Sequence, residues 1–397
     1  MMDEKTIQFV REHREEDVKA LALRVRRDGD IDLPLALDQI QGWQTARYKL
    51  PSWAAIEGIV YPPHLSMEQC SSEQTAIYKC GILDSLPADS HETLIDLTGG
   101  LGVDFSFMAA RVKRAIYAEC QEHLCETARH NFALLGLDHS TVIHAQAEDF
   151  LNDIDSDPAS TLIYLDPARR DSNNSRTYAI ADCAPDVLQL KDRLLAAAHH
   201  VLLKLSPMLD WHKALADLGH QVKEVHIVST GNECKELLML LSTEHDSEPT
   251  IYCVNDEQSL SYLPSQAARP PLIAADPREA YLYEPNASVM KAGCFGVLTD
   301  RFPIKAVATD SHLFVSSEVL EHFPGRRFVI DGITTMSKKE LARALKGITR
   351  ANIATRNFPM AAQQLRQRLH LHDGGDTYIF GTTTATGHRL LYICHKQ

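Results

Sequence analysis

Three carboxylates in this chain each end a short apolar run, and their spacing suits them to hold a small polar ligand. Asp96 closes Leu94-Ile95-Asp96 and is followed at once by Leu97-Thr98-Gly99-Gly100-Leu101-Gly102-Val103-Asp104. A glycine-rich turn after a buried strand lets a ligand approach the backbone closely, because it adopts unusual φ/ψ and lacks a Cβ. Glu119 closes Ala115-Ile116-Tyr117-Ala118-Glu119, about 20 residues past the turn, where a carboxylate can accept hydrogen bonds from a ribose diol. Asp166 heads Asp166-Pro167-Ala168-Arg169-Arg170. A carboxylate there can accept a hydrogen bond from an exocyclic amine or take a proton from a ring nitrogen, and proline stiffens the loop by fixing φ. The planar guanidiniums of Arg169 and Arg170 suit phosphate contact or stacking beside a base. Lys204, set among apolar residues in Val201-Leu202-Leu203-Lys204-Leu205, is expected to pair with Asp166 or Glu233.

Positioning these groups takes a parallel sheet. Glu122 to Leu135 has helical spacing, with Leu124, Ala128, Phe132 and Leu135 on one face and Gly136 as the stop. Strands follow at Thr141–Ala145, Thr161–Leu165 and Val201–Leu205, and Gln221–Ser229 with Glu236–Leu241 reads as an antiparallel pair. Together with the two strands ending at Asp96 and Glu119, this makes a seven-stranded, Rossmann-like α/β sheet with helices on both faces. The dinucleotide pattern G-x-G-x-x-G is not met, because counting from Gly100 and Gly102 its third glycine position holds Phe105. A nucleoside without phosphates therefore fits better than a dinucleotide, and S-adenosylmethionine is the common one.

At this point the residues resemble the class I S-adenosylmethionine-dependent methyltransferases, especially their RNA-modifying branches. Asp96 to Gly102 looks like their first motif and Glu119 like the ribose-binding acid of the second. Glu126-Thr127-Ala128-Arg129-His130-Asn131 looks like the helix that often follows, and Asp166-Pro167-Ala168-Arg169 like the catalytic loop. The generic resemblance covers residues 70–245. Asp-Pro-Ala-Arg-Arg (166–170), Glu-Cys-Lys-Glu (233–236) and Arg-Asn-Phe-Pro (356–359) resemble, more narrowly, a bacterial methyltransferase family with a THUMP-like C-terminal domain, over most of the chain. The resemblance implies S-adenosyl-L-methionine as cofactor, held by Asp96, Thr98, Gly99, Gly100, Gly102, Asp104, Glu119, Cys120, Gln146, Ala147 and Glu148. It implies Asp166, Pro167, Arg169 and Lys204 as the catalytic set, and Arg169, Arg170, Arg350 and Arg356 as contacts to substrate. There are departures. Thr98 replaces the usual first glycine, which would tighten the turn. Gln146 stands where an adenine-binding Asp is usual, with Glu148 and Asp149 nearby. The loop is also similar to that of uracil-C5 RNA methyltransferases, but Lys204-Leu205-Ser206-Pro207-Met208 lacks their nucleophilic cysteine.

The 397 residues exceed one compact core. The expected division is an N-terminal helical region (1–90), the methyltransferase domain (91–247), a small ferredoxin-like α/β domain (248–323) and a basic THUMP-like domain (324–397). Net charge is −13, yet residues 325–397 hold twelve Lys or Arg against four Asp or Glu, an excess of eight positive charges. The rest of the chain then carries 21 surplus negative charges. A basic segment on an acidic chain is the electrostatic footprint of a polyanion, so RNA is the expected partner. The same residues also fit a methyltransferase for small molecules or proteins, or an RNA-binding protein with a vestigial nucleoside pocket. No apolar run approaches the ~20 residues of a membrane span. The nine scattered cysteines suit a reduced, cytoplasmic setting. Cys120, His123 and Cys125 cluster, but a helix start splays them, and no metal is expected.

Overall fold

The computed structural model describes residues 2–25, 31–169, 180–244 and 247–397, so Arg170 lies outside the described residues. The chain divides into two compact units, Met1–Val222 with Met239–Asp246, and Lys223–Leu238 with Ser247–Gln397.

The first unit opens with helices α1 (Glu4–His13), α2 (Val18–Arg24), α3 (Leu33–Lys49), α4 (Pro51–Ala54), α5 (His64–Gln69) and α6 (Glu73–Asp84). Four of them start where an acid or serine accepts a backbone N–H three residues on. Asp3 takes Thr6, Asp17 takes Ala20, Asp32 takes Leu35 and Ser72 takes Thr75, at 2.7 to 3.2 Å. The buried amide of Gln39 bonds both the N–H and the C=O of Tyr61, and Asn131 does the same at Val60. Two side chains thus stand in for a β-partner and fix an extended segment against the helices.

Strands β1 (Thr93–Asp96), β2 (Arg114–Glu119), β3 (Ser140–His144), β4 (Thr161–Leu165) and β7 (His200–Leu205) are parallel. Between β4 and β7 a short ribbon pairs β5 (Ala168–Arg169) with β6 (Cys183–Ala184). All five residues of β4 are buried, as expected of a strand covered on both faces. Helices α7 (Val103–Ala109), α8 (Glu122–Leu134), α9 (Ala147–Phe150), α10 (Val187–Ala197) and α11 (Trp211–Leu218) connect them. Further strands are β8 (Val222–Thr230), β9 (Glu233–Ser242), β10 (Thr250–Asn255) and β11 (Gln258–Tyr262), and the order is β11-β10-β8-β9-β7-β4-β1-β2-β3. The seven expected strands are all present, but the sheet has nine. The sequence placed residues 250–262 in a separate insert because the strand–helix alternation stops near Pro249. Instead β10 lies parallel to β8, pairing Ile251 with Val225 and Cys253 with Ile227, and β11 returns beside it.

Beyond α12 (Pro264–Ala267), the second unit builds a seven-stranded sheet. Its strands are β12 (Tyr281–Pro285), β13 (Lys305–Ala306), β14 (Phe314–Ser316), β15 (Gly325–Thr334), β16 (Asn352–Arg356), β17 (Thr377–Thr383) and β18 (Arg389–Lys396), in the order β13-β14-β12-β15-β18-β17-β16. Helices α13 (Ala287–Ala292) and α14 (Phe295–Arg301) follow β12, and α15 (Lys338–Ala344) and α16 (Ala362–Leu369) flank β16. One face buries Ile353, Leu365, Ile379 and Ile393, the other Leu282, Phe328, Phe380 and Tyr392. No helix among the described residues is long and apolar enough to cross a membrane.

Candidate active site

The glycine turn rests on a buried aromatic trio. Phe105, Tyr117 and Phe132 pack with ring centroids 4.9 to 5.5 Å apart. Phe105, which fills the position where a dinucleotide site needs its third glycine, is fully buried. A Cβ on Gly99 would lie 2.2 Å from the Tyr117 ring, and one on Gly102 2.8 Å from Phe132. Gly102 also has φ +78° as it starts α7. Two of the three glycines are therefore demanded by packing against the sheet. Only Gly100, at φ +57° with its nearest neighbour 3.6 Å from a built Cβ, leaves space beside the turn for a ligand, its own N–H and C=O being taken by Glu119 and Tyr117. Gly99→Ala is expected to destabilise the fold by roughly 3 kcal/mol, at the upper end for overpacking, because the buried Tyr117 ring is also tied by its hydroxyl to the Gly100 carbonyl. Urea unfolding measures it, and a cost below about 1 kcal/mol would contradict this account.

Acidic groups converge around that turn. Glu119 accepts the Gly100 N–H at 2.9 Å through one oxygen and the Gln121 N–H at 2.8 Å through the other. Its neighbour Cys120 is exposed and directs its thiol to the same carboxylate at 3.3 Å. Asp96 is 2% exposed and accepts the Thr98 N–H at 2.9 Å. Thr98 has a use that a glycine could not serve: its hydroxyl accepts the Asp166 N–H at 2.6 Å, tying the glycine turn to the loop after β4.

Asp166 keeps 42% of its side chain open, and its Oδ2 lies 2.5 Å from Lys204 Nζ. Of the two partners expected for Lys204, the structure gives Asp166; Glu233 holds Lys235 instead. Lys204 also lies 3.6 Å from Asp104. Asp104 had been expected against the cofactor, but its carboxylate is engaged elsewhere. It takes the hydroxyls of Ser71 and Tyr164 at 2.7 Å each, and Lys79 at 3.0 Å. The sequence offered no sign of Lys79, which sits on α6. Pro167 is buried, and Arg169 contributes backbone pairing to Cys183. Gln146 is exposed at the start of α9, Ala147 is buried, and Glu148 is half-buried with its carbonyl accepting from Arg193 at 2.7 Å.

Residues 325–396 match a family described as THUMP domain-like, and residues 281–324 match one described as a ferredoxin-like domain. No curated protein matches the chain. Among solved structures, a "putative methyltransferase from Porphyromonas gingivalis W83" is 32% identical, with 100% of both chains covered and a TM-score of 0.86. This chain belongs to the same methyltransferase family. Partial likenesses extend to an rRNA methylase from Streptococcus thermophilus (16% identity, 42% of this chain and 96% of that one, TM-score 0.31). Another is cofactor-bound Rv0187 from MTB (14% identity, 58% and 97% covered, TM-score 0.34).

In this methyltransferase-family chain, burial lifts the Asp96 carboxyl well above its usual range, with repulsion from Asp104, Asp166 and Glu119 adding to it. Burial also raises Asp166, against the pull of Lys204. For Asp104 burial is more than reversed by Lys79, Lys204 and the two hydroxyls, which hold it below the ordinary value. A carboxyl whose folded-state pKa is raised costs stability once pH exceeds its unfolded value. Asp96→Asn, which keeps an oxygen for the Thr98 N–H, is thus expected to melt higher than wild type at neutral pH, with the gain fading in acid. Thermal unfolding across pH without ligand tests this, and equal shifts at pH 4 and pH 7 would refute it.

The two arginines expected to meet substrate lie in the second unit and differ. Arg350 is exposed, with its Nε donating to the Asp373 carbonyl at 3.1 Å. Arg356 instead reaches Glu284 at 2.9 Å and is largely committed to that buried carboxylate.

Proposed function

We propose that this protein is an S-adenosylmethionine-dependent methyltransferase that moves a methyl group directly onto a base in RNA. The observation carrying this reading is the gathering of Asp96, Glu119 and Asp166 around one glycine turn, with Lys204 on Asp166 and Asp104 answered by Lys79. Such a surplus of carboxylates suits a cationic nucleoside and opposes a phosphorylated one. The space beside Gly100 fits the same ligand. When bound, S-adenosylmethionine supplies an electrophilic methyl carbon and a neutral thioether leaving group.

The chain's own residues supply placement and proton handling. Glu119 is set to take the ribose hydroxyls, Asp96 the cationic amino group, and Gln146, Ala147 and Glu148 the adenine side. Asp166 holds an N–H of the target base. It would accept that proton, leaving the nitrogen lone pair to the electrophilic carbon that bound S-adenosylmethionine would supply. This reading uses no cysteine nucleophile; burial raises the Cys70 thiol, away from the reactive thiolate. The nine cysteines, none in a disulfide, suit a reducing compartment such as the cytoplasm.

The basic residues 325–397 would dock the RNA, with exposed Arg350 among the phosphate contacts. Binding of total RNA should then weaken steeply with salt, by roughly 10³-fold between 50 and 200 mM for about six phosphate contacts. Affinity that ignores salt would remove RNA docking from the reading. The experiment for the function itself is mass spectrometry of nucleosides in total RNA from cells with and without the gene. One methylated nucleoside should vanish and return on complementation, whereas an unchanged set would overturn RNA as substrate.

A further inference from the structure

We infer that Lys79 is a positioning residue for methyl transfer, acting through Asp104 to keep Lys204 directed at Asp166. The inference rests on reading Asp166 as the proton acceptor. Lys79 is 0% exposed, and its Nζ lies 3.0 Å from Asp104 Oδ1 and 3.2 Å from Ser71 Oγ. The other Asp104 oxygen takes the Ser71 and Tyr164 hydroxyls and lies 3.6 Å from Lys204. Lys204 in turn meets Asp166 at 2.5 Å. From α6 to the open end of β4 the order is ammonium, carboxylate, ammonium, carboxylate, each charge beside its opposite.

The unequal spacing of Lys204 from its two acids is the informative feature. Two carboxylates compete for it, and the more buried one would win in a medium of low dielectric, where an uncompensated charge is most costly. Asp104 does not win because Lys79 already answers its charge. Lys204 is therefore released toward Asp166, which burial would otherwise drive toward the protonated form that cannot accept a proton. The charged groups bearing on Asp166 are Lys204, Asp104, Lys79 and, by mutual repulsion, Asp96. The Cys70 thiol faces Asp104 and Lys204.

The test compares wild type, Lys79→Met, Lys79→Arg, Asp104→Asn and the double variant Lys79→Met with Asp104→Asn. One readout is the 13Cγ titration of Asp166 in ligand-free protein, identified by its loss in Asp166→Asn. Another is the pH profile of methyl transfer from labelled S-adenosylmethionine to total RNA of gene-deleted cells. Lys79→Met should move the Asp166 midpoint and the acidic limb of kcat up by about one pH unit, with KM for the cofactor little changed. Lys79→Arg and the double variant should return both toward wild type, because each relieves the competition for Lys204. If Lys79→Met does not fold, Asp104→Asn alone carries the test, and its Asp166 midpoint should fall. Wild-type methylation of RNA with an Asp166 midpoint that none of these changes moves would overturn the inference and leave the function standing. Midpoints that move as stated in a protein that methylates no RNA would leave the charge relay standing and overturn the function.

Discussion

Asp166→Ala is expected to lower methyl transfer by about 10²–10⁴-fold, the usual scale for losing a positioned proton acceptor, while cofactor affinity changes only a few-fold. The direction follows from geometry. Asp166 directly follows β4 with 42% of its side chain open, its N–H fixed by the Thr98 hydroxyl and its carboxylate on Lys204. It is thus the acidic group of the cluster that combines a rigid backbone with access to an incoming base. Glu119 and Asp96 are buried and already accept backbone N–H groups of the turn. Calorimetry with the cofactor separates binding from turnover with labelled methyl groups. Asp166→Asn gives a stricter comparison, since it keeps the size and a hydrogen-bonding oxygen but cannot take the proton. Turnover within threefold of wild type in either variant would exclude Asp166 as acceptor.

The strands and their terminal acids were legible because each is a continuous apolar run closed by a polar residue, the pattern that burial on both faces imposes. β4 is the clearest case: Thr161–Leu165 was read and found with the same limits. What the sequence hides is pairing between distant charges. Lys79 reads as an ordinary lysine on a helix, since nothing local reveals an aspartate 25 positions on that will bury it. Asp104 reads with the glycine turn because it is adjacent in sequence, whereas tertiary packing gives its oxygens to Lys79 of α6, Lys204 of β7, Tyr164 of β4 and Ser71 just before α6. Glycines carry a related ambiguity. A small residue beside a ligand and a small residue beneath an aromatic ring look alike until Tyr117 and Phe132 are placed. Charge counting found the basic segment, but it could not tell exposed Arg350 from Arg356, which a carboxylate 72 residues away claims.

That carboxylate carries a large expected effect on the stability of the second unit. Glu284→Ala should destabilise the second unit by about 3 kcal/mol, the lower end for breaking a buried ion pair. Glu284 is 2% exposed and holds Arg326 through Nε at 2.8 Å and Arg356 through Nη2 at 2.9 Å. Three strands separate β12 from β16 in the sheet, which in a flat sheet would put them roughly 19 Å apart. A side-chain contact across that gap requires the sheet to curl, and the cores of the curled face, Leu282, Phe328 and Phe380, close beneath the ion pairs. Without the carboxylate, two guanidiniums over an apolar interior lose the counter-charge they share. Each retains 39% exposure, so water relieves part of the cost, which is why the lower figure applies. Glu284→Gln, keeping oxygen and volume, should cost less than alanine. Urea unfolding followed by fluorescence measures both. If Glu284→Ala lost under 1 kcal/mol, the two arginines would be surface ion pairs of little consequence, and the curl would have to be held by the apolar core alone.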